Sequence, residues 1–279
     1  MTNLFNLIVS LLATTTGAIS GIGGGIIIKP VYDAFSGLPI STINFMSGCT
    51  VFSMSIVSLL KSRNSGVKLD KVKSTTLALG AAVGGIIGKQ IFQLTKAIFK
   101  NDNFIGAGQA IILIIMTLYV FWFIKNKEKI TMKNVNNLGI AALIGFSLGM
   151  ISAFLGIGGG PINIAILAYF FNMNSKTCSL NSIYIIFFSQ TTSLLTTFIT
   201  KTVPTYNSTD LIFMIIGGIA GGFIGSTISK RLSNKGVDKI FSVVLVIILI
   251  ICTYNFFLFI YNLRLILLKE HFLSKELLH

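Results

Sequence analysis

Two glycine clusters define the chemistry open to this chain. Gly21-Ile22-Gly23-Gly24-Gly25 recurs letter for letter as Gly156-Ile157-Gly158-Gly159-Gly160, 135 residues downstream, and both copies lie in uncharged apolar sequence. Four glycines in five residues do not hold a regular helix, because each costs about 1 kcal/mol relative to alanine. Each cluster therefore predicts a break in an apolar helix. Backbone freed at membrane depth must be received by protein or by a water-filled cavity. A half-helix that restarts after the break, at Gly160-Pro161 and by the repeat at Gly25-Ile26, presents free N–H groups and about half a positive charge. Two such ends brought together bind an oxyanion without a buried arginine. The expected anion site therefore begins with Gly23, Gly24 and Gly25 and with Gly158, Gly159 and Gly160.

The segment after each cluster adds hydroxyls and amides. Asn44 and Ser47 in the first copy, and Asn181 and Ser182 in the second, lie close in sequence to the breaks and join the expected site. Ser58, Ser179, Ser189 and Ser193 fall on the same stripes. The outer pair, Ser58 and Ser193, reads better as hydrogen bonding between helices; Gln190-Thr191-Thr192 is a weaker candidate. Lys29 lies one turn into the first half-helix, and a cation at membrane depth is a functional candidate by default. Asp33 follows it at i+4, so self-neutralisation competes with a role in the site.

These residues require long apolar elements to carry them. The sequence has 53% hydrophobic and 11% charged residues, with a mean hydropathy of +0.84. A soluble domain carries roughly 25% charge. The expected fold is an all-α polytopic membrane protein, with uncharged runs long enough to cross a hydrocarbon core of about 20 helical residues. A formal charge of +14 does not imply a nucleic-acid partner, since lysine and arginine gather in short loops between apolar runs. No enzyme constellation appears: His271 and His279 are terminal, and no span carries a paired carboxylate or a nucleophile with its base. Cys49, Cys178 and Cys252 have neither metal nor disulfide spacing, and no cofactor or metal is expected. The first segment lacks a basic leader region and reads as a retained span.

Aligning Ser20–Leu60 with Leu155–Leu195 gives 13 identities in 41 positions, and Gly80, Gly84-Gly85 and Gly88 match Gly217, Gly221-Gly222 and Gly225. The chain is read as two tandem repeats, residues 1–133 and 134–263, followed by a short tail at 264–279. The later glycines form small-xxx-small patterns that let helices approach closely. Loop charge bears on topology. Lys61–Lys73, Lys125–Lys133 and Ser229–Lys239 are basic, and they share one side only if each glycine cluster folds as a re-entrant hairpin and the halves are inverted. With eight full crossings they do not. The charge favours inversion, with Lys89, Lys96 and Lys100 on the other side.

The paired clusters, Pro30 five residues after the first, and the later Gly-x-x-x-Gly segments resemble the sulfite exporter family, TauE/SafE, over nearly the whole chain. The resemblance implies a multi-pass protein of the bacterial cytoplasmic membrane that moves sulfur-containing anions such as sulfite or sulfonates. Lys29 stands where the family usually has an apolar residue, and Ala165 where a second proline would match. The expected function is a secondary transporter of a small oxyanion, with a proton or sodium ion as possible coupling partner and the lipid bilayer as its surroundings. A non-transporting membrane scaffold and a passive anion channel are the alternatives.

Overall fold

The structure, a computed structural model, describes residues 3–63 and 70–276, with side chains through Ile266 except that of Lys71. Its described residues form ten α-helices, one 3-10 turn at Lys127–Lys129 and no strands. In chain order these are α1 (Asn3–Ser20), α2 (Gly25–Phe35), α3 (Ile40–Ser62), α4 (Lys71–Phe99), α5 (Asp102–Asn126), α6 (Leu138–Leu155), α7 (Pro161–Phe171), α8 (Ser175–Ile199), α9 (Ser208–Arg231) and α10 (Asn234–Glu276). Eight of them, all except α2 and α7, are long and apolar enough to cross a membrane. The protein is a multi-pass membrane protein. Residues 264–276 prolong α10 rather than forming a separate element.

Helix starts divide into two kinds. Asp70, Asn101, Asn137, Asn174 and Asn207 cap α4, α5, α6, α8 and α9 by accepting a hydrogen bond from a first-turn backbone N–H. The short helices α2 and α7 instead begin after Gly24 and Gly160, with no side-chain cap, as does α3 after Pro39. Pro161 opens α7 at the position where a proline displaces no helical hydrogen bond.

Contacts fix how the helices run. Phe52 stacks on Phe187 at 5.6 Å and Phe45 meets Phe198 edge-on at 6.0 Å, so α3 and α8 are antiparallel. α5 and α10 are antiparallel too, with Gly106 against Phe259 and Lys127 paired with Asp238. By contrast, Gly80, Gly84 and Gly88 of α4 lie on Ala142, Phe146 and Met150 of α6, a parallel register. Gly217, Gly221 and Gly225 of α9 lie in the same way on Ser10, Thr14 and Thr15 of α1. In both seams backbone meets backbone, which only residues without a Cβ allow.

The two ends of the bundle differ in charge. At one end, Lys73 donates to Asn136 at 2.8 Å, Ser175 to Asp238 at 2.7 Å and Lys176 to the Lys230 carbonyl at 3.2 Å. These contacts gather the starts of α4, α8 and α10 with the α5–α6 connection and the end of α9, so Lys61, Lys125, Lys129, Lys133, Arg231 and Lys235 lie at this basic end. Lys68 is outside the described residues. At the other end the Ile40 N–H donates to Asp102 at 3.2 Å, Thr42 to the Thr205 carbonyl at 2.9 Å and Lys96 to Ser41 at 2.8 Å.

Each short helix returns to the end from which its predecessor set out. The Lys133 and Val135 N–H groups, just before α6, donate to the Tyr169 and Phe170 carbonyls at the close of α7 at 2.7 and 2.9 Å. In the first half, the Tyr32 hydroxyl near the end of α2 donates to Asn6 near the start of α1 at 2.5 Å, and Asn6 donates on to Asp210 at 2.6 Å.

Candidate functional site

The two glycine segments meet between the midpoints of α3 and α8. Gly23 and Gly158 both adopt left-handed φ, 76° and 68°, and both pack on Val51. A Cβ built on Gly23 would reach Ile186 at 3.3 Å and the Gly158 carbonyl at 3.5 Å. One on Gly25 would overlap the carbonyl of Ile157, and one on Gly159 would lie 3.3 Å from that of Ile22. Outer members match in the same way: Gly21, φ 78°, lies against Ser179 of α8, and Gly156, φ 67°, against Asn44 of α3.

Four of the eleven buried side-chain atoms that lack a hydrogen-bond partner among the described residues lie at this junction. Both amide atoms of Asn44, the Ser47 hydroxyl and Asn163 Oδ1 are buried with no hydrogen bond. Such atoms are few in native proteins, and each calls for a ligand, an ion or a water. Ser47 stands beside Gly25, and Ser182 accepts from Asn163 Nδ2 at 3.2 Å. Asn44, Ser47 and Ser182 are thus brought to the six candidate glycines.

Two other candidates are placed elsewhere. Asn181 accepts from Ser74 at 2.5 Å and donates to the Thr177 carbonyl at 2.9 Å, fixing α8 to α4 at the basic end. Lys29 is fully buried and pairs with Asp33 at 2.7 Å. Alongside it, Asn255 of α10 donates to the Pro30 carbonyl at 2.8 Å, so this part of α2 faces α10 rather than the junction.

A small cavity adjoins the junction on each side. Toward the non-basic end, Asn44, Gly48, Gly156, Gln190, Ser193 and Thr197 surround a chamber of about 10 Å³, enough for about one water. Lys89 closes it outward and also lines a wider vestibule of about 390 Å³ with Ser41, Gln93, Lys96 and Thr202. Toward the basic end, Ser179, Ser226, Ser62, Lys176 and Lys230 surround a cavity of about 40 Å³. The 135- and 137-residue offsets carry one lining onto the other: Asn44 onto Ser179, Lys89 onto Ser226, Ala153 onto Ala18.

The sulfite exporter TauE/SafE family profile matches residues 6–251, taking in both glycine segments, both cavities and eight of the ten helices, α2 to α9, in full. The chain belongs to the sulfite exporter TauE/SafE family. Searches of curated proteins and of solved structures return no match. Membership makes this a membrane transport protein of the sulfite exporter type, and transport rather than catalysis is the family's activity.

Sequence reasoning missed two polar groups near the junction. Lys89 ends the uncharged run that begins at Ser74 and so reads as a loop residue; in α4 it lies ten residues, about 15 Å, before the helix end. Asn163 aligns with Ile28 and carries no repeat signal. The sequence cue available for Lys89 was length, since no glycine or proline follows it before Phe99 to end the helix.

Proposed function

We propose that this chain is a secondary transporter of a small oxyanion, sulfur-containing as in sulfite or a sulfonate, bound where the two glycine breaks meet. In this reading the halves are inverted repeats. Each opens with a re-entrant hairpin, α1–α2 or α6–α7, followed by three full crossings. Opposed directions of α3 and α8, and of α5 and α10, support inversion, because these pairs are equivalent under the repeat. Closed hairpin ends support re-entry. The basic end is then cytoplasmic under the positive-inside tendency, in the cell membrane.

The observation that carries the function is the pair of unpartnered donors, Asn44 Nδ2 and the Ser47 hydroxyl, at the junction of two uncapped helix starts. Helix N-termini with free donors favour an anion. A scaffold needs tight glycine packing but gains nothing from buried donors without partners, each of which costs about 1 to 3 kcal/mol. Cavities on opposite sides of the junction suit a carrier that opens to one side at a time; the narrow chambers argue against a standing open channel. A proton or sodium ion is the proposed coupling partner.

Two experiments test this reading. Sulfite at a hundred times its dissociation constant should stabilise the purified protein by about 2.7 kcal/mol, seen as a raised melting temperature, and proteoliposomes should show saturable sulfite flux. Neither effect with sulfite, thiosulfate or sulfonates would transfer favour to the scaffold. For topology, cysteines at Lys129 and Lys235 should label from one side of the membrane and a cysteine at Lys100 from the other. Labelling of the first two from opposite sides rules inversion out.

A further inference from the structure

Resting on the transporter reading, we propose that Lys89, with Asn44 and Gln190, forms a distinct anion-binding station. It would hold a small oxyanion between the non-basic vestibule and the glycine junction.

Lys89 is 8% exposed. Among the described residues the ion pairs are Lys29–Asp33 and Lys127–Asp238, and neither includes it. Its ammonium stands 5.6 Å from the Phe92 ring centre, a contact too weak to replace a counter-ion. An ammonium buried this far without an anionic partner is costly, and the expense is relieved when an anion sits beside it.

The second observation is independent of charge. Asn44 is 7% exposed and lines the same chamber, yet neither of its amide atoms has a partner. Its Nδ2 supplies a neutral donor to an oxyanion on the Lys89 side, and Gln190 adds an amide from the facing helix, close to Gly48. One cation and neutral donors at the mouth of a polar chamber that itself has room for about one water suit an anion of one or two charges and few atoms, seated where Lys89 joins chamber to vestibule. Its repeat counterpart is Ser226, so the station exists on one side of the junction only.

Sulfite is the probe. Titration calorimetry on detergent-purified protein compares wild type with Lys89→Gln, Lys89→Arg and Gly24→Leu. Lys89→Gln should weaken sulfite binding at least tenfold, about 1.4 kcal/mol, whereas Lys89→Arg keeps affinity within threefold. A second measurement needs no variant: sulfite should slow acylation of Lys89 in the wild-type protein at least fivefold, read by peptide mass, and leave Lys96 unaffected. Wild-type affinity in Lys89→Gln, or an acylation rate indifferent to sulfite, overturns the station. If either occurs while Gly24→Leu abolishes binding, the glycine junction stands and Lys89 alone is withdrawn. If Lys89→Gln loses binding and is rescued by arginine while wild-type proteoliposomes carry no sulfite, the station stands and the transporter reading falls.

Discussion

The half-helices α2 and α7 follow identical glycine clusters, yet one is charged and the other is not. In α2 a buried Lys29–Asp33 pair and Pro30 lie within eleven residues; the aligned positions in α7 are Ile164, Ala168 and Ala165. The same contrast separates Lys89 from Ser226. Backbone placement is shared between the halves, and at these aligned positions charge is carried by the first alone. Two segments with the same glycine pattern can keep their packing while the charged residues beside them differ.

The sharpest way to break the comparison is at the cluster's last glycine, which occupies equivalent positions with different surroundings. A Cβ at Gly25 would overlap the Ile157 carbonyl, whereas at Gly160 the nearest atom is the tip of Ile157's side chain at 3.3 Å. Gly25→Ala should cost about 3 kcal/mol or more, because backbone must shift. Gly160→Ala should cost about 1 kcal/mol, the usual loss for alanine at a helix start. Denaturation in detergent reads both, and equal losses would mean that the two breaks are equally tight.

Of similar size is the effect at the buried pair. Lys29→Met strands Asp33, one oxygen of which already lacks a hydrogen bond, and should destabilise by about 3 to 5 kcal/mol. Adding Asp33→Asn should recover most of that loss and restore sulfite flux. A double variant that is stable but transports nothing would return Lys29 to the site and make the charge of α2 functional.

The smallest effect is expected at the basic end. Lys127 and Asp238 tie α5 to α10 while partly exposed, so Lys127→Ala should change stability by less than about 1 kcal/mol, and less again at high salt. A larger, salt-independent loss would make this bridge part of the packing between the halves.

How far the sequence disclosed this structure depends on whether a feature is local. Glycine density and apolar length are local properties, and they anticipated where α1 and α6 end and that Gly25 and Pro161 open new helices. The side of a helix that a polar residue faces is decided by its neighbours. Asn181 is one position from Ser182 on α8, but that step of about 100° turns it from the junction to Ser74 on α4. Lys29 was ambiguous for the same reason: the i+4 spacing to Asp33 was visible, and the α10 surface that α2 packs on was not. Lys89 was hidden by the assumption that a lysine ends a span, when a polar chamber between α3, α6 and α8 receives it.

The parallel seams between α1 and α9 and between α4 and α6 also govern how the chain can be made. Asn6 and Asp210, bonded in the finished protein, are separated by 204 residues. At a synthesis rate of about 5 to 20 residues per second, α1 waits about 10 to 40 seconds for the helix that covers its Ser10 and Thr14 hydroxyls. Until then α1 has the glycine segment of its own half against it, with Gly24 on Thr14, but not the α9 glycines that pack on Ser10. The ribosome must finish α9 before that seam can form, and a chain interrupted before residue 208 leaves α1 without it.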